Sequence, residues 1–111
     1  MVQKAVKGIP LKVKETVEKV DGQARVILFG SRARGDFRPD SDWDFLILTR
    51  KKASRELQDK IRDLLYEIEL DTEQVISSVI EEEETWPKYR ESEFFKNVLQ
   101  DGIEVVTPQA A

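Results

Sequence analysis

Apolar positions recur along this chain with two periods, and the alternation between them lays out the elements. Val13, Val17 and Val20 fall four and three residues apart, one face of a helix, which predicts a short amphipathic helix over Leu11–Val20. Pro10 suits its first turn, and Asp21-Gly22 supplies its stop. Arg25–Phe29 is a compact apolar run between turn residues and predicts a strand. Ser31–Gly35 has room for one helical turn, and Asp36–Ser41, with Pro39, reads as a loop. Asp42–Thr49 is a second strand, antiparallel to the first because the connection is short and holds no long crossover helix. Ala53, Leu57, Ile61, Leu64, Leu65 and Ile68 return to helical spacing and predict a helix over Ser54–Leu70.

The remainder reads in the same way. Val75–Ile80 is a third strand, and Glu81–Glu84 is an acidic run expected as a solvated helix start or loop. Ser92–Leu99 predicts a short helix with Phe94, Phe95, Val98 and Leu99 inward, ended by Asp101-Gly102, and Ile103–Val106 a final edge strand. Residues 1–9 are expected as a loose lead-in and 107–111 as a loose tail. No internal repeat or low-complexity linker interrupts the chain. The expected architecture is a single α+β domain over residues 1–111, with a small mixed sheet and with Leu11–Val20 and Ser54–Leu70 packed on one face.

Composition narrows the chemistry. The chain has no Cys and no His, so disulfides, thiolate sites, the commonest zinc ligand and the usual general base are all excluded. Any reaction must rest on carboxylates, Lys, Arg, hydroxyls and a hard metal. Hydrophobic content of 40% and charged content of 36%, with no apolar run near the ~20 residues of a membrane span, predict a cytoplasmic protein without membrane association. The net charge of −4 divides unevenly: residues 1–55 carry 13 Lys+Arg and 7 Asp+Glu, residues 56–111 carry 5 and 15. The positive half can steer a polyanion such as ATP. The acidic half disfavours an extended nucleic-acid track, while nucleic acid stays open as a substrate.

Two features in that positive half form one constellation. Leu28-Phe29-Gly30-Ser31 carries an apolar strand into a Gly-Ser turn, and Asp42-Trp43-Asp44 opens the next strand with two carboxylates two residues apart. Side chains so spaced on a strand share a face. Gly30 allows backbone to approach a phosphate closely, and Ser31 adds a hydroxyl and neighbouring amides. Asp42 and Asp44 are hard oxygen ligands suited to Mg²⁺ (or Mn²⁺). Arg32, Arg34 and Arg38 lie between and can neutralise a triphosphate. Alone, Gly30-Ser31 is an ordinary turn and Asp42 an ordinary turn residue. Asp44 resists that reading, because a carboxylate within an apolar strand must be solvated, paired or metal-bound.

At these residues the chain resembles the minimal nucleotidyltransferases of the DNA polymerase β-like superfamily, whose signature is a strand, Gly-Ser, a spacer of about ten residues and Asp-x-Asp. The resemblance implies a polymerase β-like palm fold and transfer of NMP, with AMP from ATP expected, to an acceptor. It implies Asp42 and Asp44 as catalytic metal ligands and Gly30, Ser31, Arg32 and Arg34 as nucleotide-binding residues. Relatives of this size are often paired with a small helical HEPN-domain protein in toxin–antitoxin systems, so a HEPN-type partner is the implied acceptor. The alternative is a non-catalytic Mg-nucleotide-binding subunit that neutralises its partner by contact. Family members usually carry a third carboxylate on the next strand. Aligned with Val75–Ile80, that slot falls at Ser77 or its neighbour, and either Ser77 occupies it or Glu73 or Asp71 reaches the metal instead.

Overall fold

A computed structural model describes residues 1–5 and 7–108. Five strands form one mixed sheet: β1 (Val2–Ala5), β2 (Arg25–Phe29), β3 (Trp43–Thr49), β4 (Ile76–Glu82) and β5 (Ile103–Val106), in the order β1-β5-β2-β3-β4. β2 and β3 are antiparallel, as the short connection demands, and β3 and β4 are parallel, joined through a helix. Four helices accompany them: α1 (Ile9–Val20), the single turn α2 (Ser31–Arg34), α3 (Arg55–Thr72) and α4 (Glu93–Asp101).

β2 and β3 are apolar without alternation over Val26–Phe29 and Phe45–Leu48 because the sheet is covered twice. Val26, Leu28, Phe45 and Ile47 pack with Val13 and Val17 of α1 and Ile61 and Leu65 of α3. On the opposite face, Ile27, Leu46 and Leu48 pack with Val98 of α4 and with Trp86, which sits in a 3-10 turn over Trp86–Tyr89. The expected cover by α1 and α3 is therefore on one face, and a smaller aromatic layer covers the other. Trp86 stacks on Phe95 with centroids 4.9 Å apart, and Phe94 meets Phe29 edge-on at 5.2 Å.

Helix ends follow their caps. The Ser54 side chain accepts from the Leu57 amide at 3.2 Å and starts α3, and Ser92 accepts from the Phe95 amide at 3.1 Å and starts α4. α3 ends two residues later than its apolar spacing predicts, at Thr72, with Glu73 in the left-handed region at φ 58°.

Four expectations need correction. Leu99, expected inward on the last helix, is exposed near the end of α4. The lead-in is partly ordered: Val2–Ala5 is a parallel edge strand registered on β5, with Val2 opposite Ile103. β5 is consequently an interior strand, flanked by β1 and β2, rather than an edge. The acidic run is no helix start: Glu81 and Glu82 complete β4, while Glu83 and Glu84 form the expected turn, where the Glu83 carboxylate pairs with Arg25 at 3.3 Å. Residue 6 of the lead-in and residues 109–111 of the tail lie outside the described residues. Among the described residues no helix is long and apolar enough to cross a membrane.

Candidate active site

The site forms where β2 ends and β3 begins. Antiparallel register sets Phe29 opposite Asp44, so the Gly-Ser turn and the Asp-x-Asp pair come to one corner of the sheet. Gly30 has φ 74° and ψ −159°, a region open almost only to glycine. A Cβ added there would collide with Asp44 Oδ2 and lie 3.2 Å from its Cγ. The carboxylate of Asp44 thus occupies the space that a side chain at position 30 would fill.

Beyond Gly30 the chain turns once as α2. The amides of Ala33 and Arg34 both donate to the Gly30 carbonyl, at 3.1 and 3.0 Å. The leading amides of a helical turn have no acceptor within it, and here those are Ser31 and Arg32. Gly35 then ends the turn in the left-handed region at φ 90°.

Asp44 is half-buried and Asp42 exposed. Burial, then the negative charge of Asp42, push the Asp44 carboxyl above its ordinary value, and Arg34 opposes them. The two carboxylates are therefore close enough to repel, with one guanidinium offsetting them. Two hard oxygen ligands carrying unrelieved negative charge fit Mg²⁺, which takes one or two protein carboxylates and completes its shell from water and phosphate. Among the described residues no group of three or more His, Cys, Asp or Glu gathers to hold a metal.

The register shows which residue of β4 stands beside Asp44. Ser77 of β4 pairs directly with Asp44, on the same face of the sheet. The alternatives lie elsewhere. Glu69 Oε1 accepts from the Ile76 amide at 2.7 Å, Glu73 terminates α3, and Asp71 faces a groove shared with Lys12 and Lys19 of α1.

The arginines divide into two kinds. Arg32 is held in place: its guanidinium lies 4.3 Å from the Phe37 ring centroid and 4.4 Å from that of Trp43. Its Nη2 donates to the carbonyls of Pro39 and Ser41, both at 3.1 Å. Gln74 joins this cage by accepting from Trp43 Nε1 at 3.2 Å. Arg32 thus fixes the loop that presents Asp42. Arg34 is half exposed, pairing with Asp36 at 3.2 Å and Asp101 at 3.8 Å, and Arg38 is exposed on the loop. Sequence placed none of Phe37, Gln74 and Asp101 at the site, and Asp101 only at a helix end. Their contacts span up to 67 residues of chain, and only the aromatic beside each motif half gave a local hint.

A family model described as a nucleotidyltransferase domain matches residues 11–100. Two Methanocaldococcus jannaschii proteins provisionally named protein adenylyltransferases are similar in sequence. One is 37% identical over 78 residues, covering 70% of this chain and 73% of that protein. The other is 36% identical over 81 residues, covering 73% and 77%. A chain from a crystal structure of a toxin–antitoxin with AMP-PNP superposes with a TM-score of 0.63 at 15% identity, covering 92% of this chain and 76% of that one, and shows the shared fold.

Proposed function

We propose a specific reaction for this chain, which belongs to the nucleotidyltransferase domain family: transfer of AMP from ATP to a hydroxyl of a partner protein. Nucleotidyl transfer itself comes with the family. The adenylyl group and the protein acceptor are supported by the names of the two archaeal relatives, and the partner context by the toxin–antitoxin neighbour with its ATP analogue. A small helical protein of HEPN type is the expected partner, and the cytoplasm, where ATP is made and used, the expected place.

The observation that carries the site assignment is the packing of the Asp44 carboxylate into the space left by Gly30. It ties the phosphate-binding turn to the acidic pair in one rigid corner. Ser31 and the leading amides of α2 hold the triphosphate, and Arg34 turns from its exposed pairings toward it. Arg32 acts through the loop, by holding Asp42 in position. Asp42 and Asp44 would hold Mg²⁺ (or Mn²⁺), which when bound neutralises charge on the phosphates. The acceptor oxygen bonds to the α-phosphorus, the bond from that phosphorus to the bridging oxygen breaks, pyrophosphate leaves with its electron pair, and the hydroxyl proton passes to solvent. Catalysis in such a site comes mainly from positioning and electrostatics.

The test is AMP transfer from α-labelled ATP to the protein encoded beside this one, with Mg-ATP binding by calorimetry. Asp42→Asn and Asp44→Asn should each lower transfer by about 100-fold or more while the fold is kept. Unchanged Mg-ATP affinity in the double variant would refute the site. Ser77, standing where an acid would complete the set, is the one observation favouring a contact inhibitor that binds nucleotide without turnover. Partner neutralisation that survives loss of both aspartates would select that reading.

A further inference from the structure

β4 is an edge strand, and its outer side is open for most of its length. The Val75 carbonyl accepts from Trp43 and the Glu83 amide donates to Thr49, each at 2.9 Å, so the odd-numbered positions of this segment bond inward to β3. By the alternation of a parallel ladder, Ser78, Ile80 and Glu82 direct their backbone groups outward. Edge strands are ordinarily blunted by brevity, Lys, Pro or a cover. Here the cover is confined to the two ends: Glu69 takes the Ile76 amide and Thr85 Oγ1 donates to the Glu82 carbonyl at 3.5 Å, while among the described residues no side chain bonds the Ser78 and Ile80 backbone between them. The other edge, β1, is only four residues long.

A groove of about 350 Å³ lies beside the open stretch, lined by Arg62, Leu65, Tyr66 and Glu69 of α3 and by Ile76 and Ser78. Tyr66 and Leu70, one helical turn apart, are 57% and 62% exposed, and Val75, leading into β4, is 55% exposed. Toward the far end of the strand the surface turns acidic. Among the described residues Glu81 and Glu84 make no ion pair, while Glu83 is neutralised by Arg25. The edge therefore offers unpaired backbone, a groove of mixed apolar and polar lining at one end and uncompensated negative charge at the other.

Resting on the transferase reading above, we propose that the acceptor protein docks by adding an extended, basic segment to the open edge of β4 at Ser78–Glu82. Main-chain hydrogen bonds give affinity in this mode, and alternate side chains give specificity. One side chain fills the groove under Tyr66, and Lys or Arg of the segment faces Glu81 and Glu84. The edge is continuous with the chemistry, since Ser77 is registered on Asp44. An added strand stands two strand spacings from β3, about 10 Å. Ser77, exposed and short, leaves that path open on the face of the sheet that carries Asp44. A long hydroxyl-bearing side chain can cross it, whereas a bulky residue at position 77 would block it.

Two peptides test the docking without ATP: an alternating valine/lysine peptide with one central tyrosine, and its glutamate counterpart. The lysine peptide should slow hydrogen exchange at the Ser78, Ile80 and Glu82 amides by about tenfold or more, and the glutamate peptide should not. Ser78→Pro removes an outward amide without touching the ladder to β3, so it should abolish that protection and leave Mg-ATP affinity unchanged. Should that variant fail to fold, the surface pair Glu81→Lys with Glu84→Lys should reverse the preference to the glutamate peptide. Absence of protection in the unmodified protein overturns the proposal. So does protection that arises without peptide and grows with protein concentration, which would assign the edge to a second copy. Docking with no AMP transfer would sink the transferase reading alone, and transfer to the whole partner without edge protection would sink the docking alone.

Discussion

Gly30→Ala is the sharpest probe of the corner, because the structure supplies its own control. Gly30 and Gly8 share almost the same backbone conformation, φ 74° and ψ −159° against φ 69° and ψ −140°. A Cβ at Gly8 would meet nothing within 4 Å, whereas one at Gly30 would collide with Asp44. Both alanines pay the cost of an L-residue in that region, about 1–3 kcal/mol. Gly30→Ala must also push Asp44 out of its well, about a further 1 kcal/mol if the side chain leaves its rotamer. Urea unfolding should therefore find Gly30→Ala less stable than Gly8→Ala by about 1 kcal/mol, and in thermal unfolding by about 4–8 °C. In an Asp44→Ala background the two costs should become equal, which isolates the contact as a coupling energy. Transfer and Mg-ATP binding should fall in Gly30→Ala and persist in Gly8→Ala. Equal stability of the two variants with nucleotide binding intact in both would show that Gly30 and Asp44 are not joined in one site.

Two further outcomes follow from other contacts. Ser77→Asp, placed opposite Asp44, should tighten Mn²⁺ binding measured by titration and lower the melting temperature without metal, with added Mg²⁺ restoring it; Asp71→Asn and Glu73→Gln should change neither. Asp21 is buried, and burial alone would raise its pKa, but amide donors from Lys51, Gln23 and Arg50 outweigh it and hold the carboxyl below its ordinary value of 3.8. Asp21→Asn should cost about 1–2 kcal/mol at pH 7. The native carboxylate contributes its full stability above its unfolded pKa and loses it as pH falls through the lower folded value, so the gap between the two proteins should close on acidification below about pH 4. A gap that persists in acid would contradict this.

Much of this fold is legible in sequence because its signals are local. The strand–turn–strand of Val26–Leu48 carries its own pairing, and the apolar face of α3 recurs over five turns. What sequence missed depends on distant partners. Val2–Ala5 has too few residues to show a period and becomes a strand only by pairing with Ile103–Val106, from the far end of the chain. The same pairing converts β5 from an expected edge into an interior strand. Half of the acidic run joins β4, where the Glu82 carboxylate accepts from the Ala53 amide, and the turn that follows is held by the pairing of Glu83 with Arg25. At the site, the Asp-x-Asp spacing and the Gly-Ser turn announced themselves. The confinement of Arg32 did not, because its cage takes Phe37 from a loop, Trp43 from the start of β3 and Gln74 from beyond α3.

The placement of Ser77 bears on how metal enters the site. Two carboxylates face one partly engaged arginine, and the residue registered on Asp44 brings no charge. A third acid would favour the free cation strongly, but it would also deepen the repulsion that already raises the Asp44 pKa. With two acids, a hydrated divalent ion gains little from the protein alone, because Mg²⁺ gives up its water reluctantly. The missing oxygen ligands and the missing charge are both present on a triphosphate. On the proposed reading Mg²⁺ would bind together with ATP: the Gly30-Ser31 turn would hold the phosphates, and Asp42 and Asp44 would supply the protein oxygens for the ion. Nucleotide and metal binding become one coupled event. The Gly30–Asp44 contact would make that coupling geometric, since the turn proposed to hold the phosphates cannot shift without moving the carboxylate proposed to hold the ion.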